Sequence, residues 1–277
     1  MRAMRDVRPP AVAGSWYPAS RARLADAVDA HLAAAAAPPS SRPRAIVAPH
    51  AGLPYSGPVA AHAYRAAGPH AYTAAVLVGP SHFVGFDGVS IWPRGAWETP
   101  LGAVPVAERL AAAIAAEAPE VNEYPAAHAR EHALEMQLPF LARLLPGVPI
   151  VPLVMGHQSR ETATALGEGL VRAIAAQPEE RVLLVASSDL SHYEDAAAAA
   201  RLDAVVLRYV EALDADGLMA ALEREPRHAC GGGPMVSVLH AAVRLGCTRA
   251  RVLRYADSGD VSGDKSSVVG YMAAAIW

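Results

Sequence analysis

Three short runs in this chain are apolar from end to end: Ala45–Ala48, Ala75–Val78 and Val182–Ala186. A strand with one wet face alternates polar and apolar residues; a strand with no polar residue has to be covered on both faces. A fourth such run is Ile150–Met155, and stretches of helical composition lie between them, among them Gly57–Ala67, Val106–Glu117 and Arg160–Ala176. The alternation predicts an α/β fold with a mainly parallel central sheet and helices on both faces.

The remaining segments fit that plan. Arg21–Ala36 reads as a helix stopped by Pro38-Pro39, since proline cannot continue one. Val89–Trp92 and Trp97–Thr99 read as a strand pair joined by a Pro-Arg-Gly turn. Helices are expected over Glu131–Leu145, Ala196–Leu213 and Asp216–Arg224, and after the glycine cluster 231–233 to near Leu245. Ala250–Tyr255 and Ser267–Ile276 close the chain as strands. No Gly/Ser/Pro-rich linker divides it, so a single domain over residues 1–277 is expected.

Composition narrows the functional classes. Hydrophobic residues make up 53% and charged residues 18%, enough apolar surface to exclude a disordered chain. With 24 Lys+Arg against 27 Asp+Glu there is no cationic surplus for phosphate contacts, so no nucleic-acid partner is expected. No run approaches the ~18 uninterrupted apolar residues of a membrane span, so no membrane association is expected either. Only Cys230 and Cys247 are present, which points to a reducing, cytoplasmic compartment.

The most informative residues follow the apolar runs. Ala45–Ala48 leads into Pro49-His50, Ala75–Val78 into Gly79-Pro-Ser-His82, and Val182–Ala186 into Ser187-Ser-Asp189-Leu-Ser-His192. The carboxyl ends of parallel strands share one edge, where ligands bind in open α/β sheets. Any one of these histidines reads most simply as a loop residue; three in the same position also fit a shared metal or catalytic site. His157 follows a strand too but has nothing else to mark it. His31, His62, His70, His128, His228 and His240 fall on helices or polar loops and receive no role. Zincin, paired-cysteine, phosphate-loop and nucleophile-elbow signatures are missing; Glu131-His132 continues as Ala-Leu-Glu135 and is no zincin helix. Taken alone, Cys230 reads as a buried small hydrophobe, as does Cys247.

Seven blocks in order carry a resemblance to a known family. They are Pro10-Ala-Val-Ala-Gly-Ser-Trp-Tyr-Pro18, Ala48-Pro-His-Ala-Gly52 with Tyr55-Ser-Gly57, Gly79-Pro-Ser-His82, Glu98-Thr-Pro-Leu-Gly102, Glu131-His-Ala-Leu-Glu-Met-Gln-Leu-Pro139, Ser187-Ser-Asp-Leu-Ser-His192 and Cys230-Gly231. The chain resembles the Memo family, called protein B of the AmmeMemoRadiSam system in bacteria and archaea. The family's fold is similar to that of class III extradiol dioxygenases, which use non-haem iron(II).

The resemblance implies metal ligation by His50, His82 and Cys230, an acid/base position at His192 with Asp189 beside it, and a cleft bordered by Trp16 and Tyr55. The chain departs from the family at Phe83, where a second histidine is common, at Leu190-Ser191, where Phe-Cys is common, and at Gly232, where Arg is frequent. Two imidazoles and a thiolate suit iron(II) first, with copper or zinc as alternatives, rather than magnesium or calcium. The implied function is redox or oxygenase-type chemistry on a small organic substrate. The alternatives are a non-catalytic module holding a peptide or partner, and a zinc-assisted hydrolase. The family name also implies a functional link to a radical-SAM protein and an AMMECR-type protein.

Overall fold

The computed structural model describes residues 6–36 and 41–277. The Pro38-Pro39 stop and the first five residues lie outside the described residues.

Four strands form the centre of a nine-stranded sheet among the described residues. Ala45–Ala48, Val182–Ser187, Ala74–Pro80 and Ile150–Met155 run parallel in that spatial order. Every residue of these four strands is buried, which is why none of them alternates in sequence.

The parallel character stops at the flanks. Val268–Ile276 lies antiparallel to Ala45–Ala48 and pairs antiparallel with Ala250–Asp257 and His192–Glu194. On the other side Val89–Ile91 is antiparallel to Ile150–Met155, with Val121–Asn122 parallel beyond it. Connection length explains part of this. Ala250–Asp257 and Val268–Ile276 are joined by a loop too short for the dozen or more residues of a parallel crossover, so a hairpin results.

Helices cover the sheet in two groups. Leu53–Ala67 packs on Ala45–Ala48 and Val268–Ile276 together with Arg21–Ala34 and Leu138–Leu144. Gly232–Arg244, Arg160–Ala175 and Ala196–Glu211 belong to the other group, which meets the same two strands. Two groups that share strands without substantial contact with each other sit on opposite faces. Among the described residues no helix is long and apolar enough to cross a membrane.

Two expectations need correction. Val89–Ile91 and Trp97–Thr99 are not partners: Ala96–Thr99 pairs with Gly102–Pro105 and with Val7–Arg8 in a separate three-stranded sheet. The hairpin turns at Gly102, whose φ of +128° only glycine adopts readily, and Thr99 closes it by donating to the Gly102 carbonyl. The helix expected over Glu131–Leu145 is also shorter than expected and begins only at Glu135. A 3-10 turn over Glu135–Gln137 precedes a helix of only Leu138–Leu144. Pro139 lacks an N–H and fits only the first turn of a helix. Upstream, the Glu131 carboxylate accepts the amides of His132 and Ala133 and so holds them out of helical pairing.

Candidate metal centre

The loops after three parallel strands meet at one edge of the sheet. His50 follows Ala45–Ala48, His82 follows Ala74–Pro80, and Asp189 follows Val182–Ser187. Cys230 arrives from elsewhere, just before the Gly232–Arg244 helix, and its amide donates to the Asp189 carbonyl. Gly231 makes that approach feasible: a Cβ there would lie 2.5 Å from the Ser187 carbonyl oxygen.

Hydrogen bonds set the direction of the His50 ring. The buried Tyr64 hydroxyl donates to Gln137 Oε1 at 2.8 Å, so Gln137 Nε2 is the donor to Ser187 Oγ at 2.7 Å. Ser187 gives its own proton to the Ala133 carbonyl and can only accept from His50 Nδ1, 2.9 Å away. His50 Nε2 therefore carries a lone pair, and it faces Cys230 Sγ at 3.2 Å. His82 is arranged in the same sense, with Nδ1 donating to Glu131 Oε1 at 2.9 Å and Nε2 without a hydrogen-bond partner among the described residues. A carboxylate or hydroxyl behind each ring is the arrangement that fixes tautomers in metal sites.

The possible ligand atoms fall into two overlapping sets, each within 4.8 Å: His50, His82 and His132, and His50, Asp189 and Cys230. The expected trio of His50, His82 and Cys230 is divided between them, with His50 common to both. Donors bonded to one ion at ~2.0–2.3 Å sit roughly 3–4 Å apart, so the separation of His50 from Cys230 suits a shared metal. His132 Nδ1 is buried and has no hydrogen-bond partner among the described residues, as expected of a nitrogen reserved for another ligand. The residues present fit a metal ion.

Burial keeps the His50 and His132 imidazoles neutral. Burial lowers His50 to about 3, aided by the His82 charge, and lowers His132 to about 4, aided by His50. Burial works against the charge of Glu131, but the hydrogen bond and charge of His82 and the amides it accepts bring it down to about 2. Burial pushes the Cys230 thiol up, and the Asp189 charge adds to this. Without a cation beside it, Cys230 is thus a thiol donating to His50; a bound metal would favour the thiolate.

Asp189 does not hold the His192 ring. Its Oδ1 accepts the backbone amides of His50 at 2.7 Å and Ala51 at 3.3 Å, which anchors the His50 loop. His192 donates from Nδ1 to the Leu190 carbonyl at 2.8 Å, leaving Nε2 able to accept a proton. Trp16 packs on His132 with ring centroids 4.1 Å apart, and Tyr55 is exposed at the start of the Leu53–Ala67 helix. A groove of about 650 Å³ beside Trp16 runs along the Arg21–Ala34 helix to Leu53 and Pro54.

A family model described as Memo-like protein matches residues 8–275. The chain belongs to the Memo-like family. MEMO1 family proteins from Sulfolobus acidocaldarius and Thermotoga maritima are 39% and 37% identical to it. The alignments cover 96% and 98% of this chain, and 98% and 99% of those proteins. A MEMO1 family protein from Methanosarcina acetivorans is 39% identical over 97% of this chain and 98% of its own length.

Glu131 and His132, like Ser187, are residues of this candidate site that the sequence reading left without a role. Neither follows a strand, and the segment carrying them reads as the start of a helix. Their one signal was membership of the Glu131–Pro139 block. The neutral state of His50 and His132 has a measurable consequence. Their folded values lie below the 6.5 of a free imidazole, so between those limits the unfolded chain binds protons that the folded chain excludes. Stability from this source is complete above pH 6.5 and falls as pH drops toward 3. The urea midpoint of chelator-treated protein should decline steadily from pH 7 to pH 5, and a flat profile over that interval would contradict the assignment.

Proposed function

We propose that this Memo-like protein binds a redox-active metal, iron(II) first, and carries out oxygenase-type chemistry on a small organic substrate. The observation that carries this reading is the orientation of two rings, His50 held through Nδ1 by Ser187 and His82 held through Nδ1 by Glu131, with the Cys230 sulfur 3.2 Å from His50 Nε2. His50, His82 and Cys230 would hold the ion, with His132 and Asp189 in reach of His50. Bound iron(II) would supply one-electron and dioxygen chemistry, which no side chain performs by itself.

The chain's own residues supply the rest. Ser187 and Glu131 hold the ring orientations, and Asp189 holds the backbone from which His50 projects. His192 donates from Nδ1 to the Leu190 carbonyl, which leaves Nε2 as the ring atom that would accept a substrate proton. Trp16 covers His132 and limits water at that side.

The test is anaerobic loading with iron(II), then oxygen uptake with a panel of catechols. Uptake with at least one substrate is expected, and silence from a fully loaded protein rejects the reading. His192→Ala should retain its metal and lose turnover by about 100-fold or more, the usual scale of acid/base help. Loss of metal in that variant would place His192 among the ligands instead.

A second reading is favoured by one feature. The groove beside Trp16 is mainly apolar and large enough for a side chain of a bound peptide. If the protein is a partner-binding module, Trp16→Ala should abolish capture of that partner while metal content stays unchanged.

A further inference from the structure

Cys230 has a second neighbourhood besides the histidine cluster. A cavity of about 590 Å³ lies against it, between the start of the Gly232–Arg244 helix and the Ala215–Arg224 helix. Its apolar wall is made by Met219, Leu222, Pro226 and Ala229. A volume of this size falls within the range of small-molecule sites, which are apolar enclosures with few polar groups.

The polar side chains around the cavity are already occupied. Gln158 donates to the Cys230 carbonyl and accepts the Gly233 amide, both at 2.7 Å. Arg160 makes two bonds to Glu223, at 2.9 and 2.7 Å. Ser159 caps the Arg160–Ala175 helix by accepting the Thr162 amide. A charged ligand would find no unpaired countercharge there and would lose hydration without compensation.

The close packing of this wall depends on two glycines. A Cβ on Gly232 would come within 2.6 Å of the Leu222 methyls, and one on Gly233 within 2.9 Å of Gln158 Cβ. Glycine at both positions lets the cavity wall sit directly against the helix that begins after Cys230.

We infer that this cavity binds an uncharged, mainly apolar small molecule, which reaches the metal cluster from the Cys230 side rather than past Trp16. Cys230 is the residue that cavity and cluster share: it lines the former, and its sulfur contacts His50 in the latter. The inference names the substrate class for the proposed reaction, so its use in turnover rests on that reading, whereas binding itself does not.

Binding is measured on chelator-treated protein, so it can succeed or fail independently of metal content. The probe is N-phenylnaphthylamine, uncharged and fluorescent in apolar surroundings, with the anionic anilinonaphthalene sulfonate as comparison. Saturable enhancement is expected with the neutral probe, and binding of the anion at least about tenfold weaker. Ala229→Phe should fill the cavity and weaken the neutral probe by at least about tenfold. Pro226→Trp, at an exposed position on the rim, should act in the same direction without disturbing the core. Ala27→Phe, in the groove beside Trp16, should leave binding unchanged. The inference is overturned if the neutral probe does not saturate, if the anion binds equally well, or if Ala27→Phe removes binding that both cavity variants retain.

Discussion

Replacing His50 by alanine is expected to lower metal affinity by well over 100-fold. His50 is the one residue common to both possible ligand sets, so its loss breaks each of them. Changing a residue that only orients a ligand typically costs 10–100-fold, so removing the ligand itself should exceed that range. The fold should survive, because His50 belongs to a loop beyond the Ala45–Ala48 strand, and the strand's own pairing does not involve its ring. Metal-to-protein ratios after equilibrium dialysis, with circular dichroism as the fold control, decide the matter. Full occupancy in a folded His50→Ala protein would reject the centre as described.

Glu135→Gln is expected to cause the largest loss of stability from a single change, about 3–5 kcal/mol, the scale for breaking a buried ion pair. The Glu135 carboxylate is fully buried and accepts four hydrogen bonds: Arg8 Nη1 at 2.7 Å, the amides of Ala11 and Val12, and the Tyr17 hydroxyl at 2.6 Å. Arg8 is equally buried; it also bonds to the carbonyls of His128 and Glu131 and lies over the Trp97 ring. An amide would remove the countercharge and leave the guanidinium buried and unpaired. The effect should be read from urea unfolding, with a second measurement on the double variant Arg8→Met/Glu135→Gln, which keeps an acceptor oxygen for the Val12 amide and the Tyr17 hydroxyl. Because replacing both partners avoids the stranded charge, the double variant should recover much of the loss. If Glu135→Gln unfolds within 1 kcal/mol of the native protein, the pair does not anchor the N-terminal segment.

That anchor links stability to the site. The segment tied down by Glu135 carries Trp16, and Trp16 packs on His132. Glu131, four residues before Glu135, orients His82. One short stretch therefore supplies the support for the candidate metal site and for the wall that covers it, and its first residues stay out of regular helix.

The legibility of this chain differed by residue. His50 and His82 were readable because each directly follows a fully apolar strand, and parallel strands end at a common edge. Asp189 was readable as a neighbour, but its task was not: its bonds go to the His50 and Ala51 amides, contacts that no spacing encodes. Cys230 stood out only by its resemblance to a family block, since a lone cysteine before three glycines has no distinctive pattern. Glu131 and His132 went unassigned because their segment is helical in composition and irregular in fact. The flanking antiparallel strands were hidden for a similar reason, since an apolar run does not specify the direction of its partner.

By itself, the order of apolar runs, breakers and helical stretches determined an α/β architecture with His50 and His82 at the ends of its strands. Burial on both faces demands that order, and the chemistry of those ends follows from where parallel strands stop. Only the tertiary structure decided that His132 joins them, that Ser187 and Glu131 set the proton on each ring, and that Cys230 stands between the cluster and a second cavity. Those outcomes depend on side chains more than a hundred residues apart coming within hydrogen-bonding distance, as Ser187 does for His50 and Glu135 for Arg8. Local pattern carries no record of such meetings, because each partner's residue type is compatible with many other neighbours.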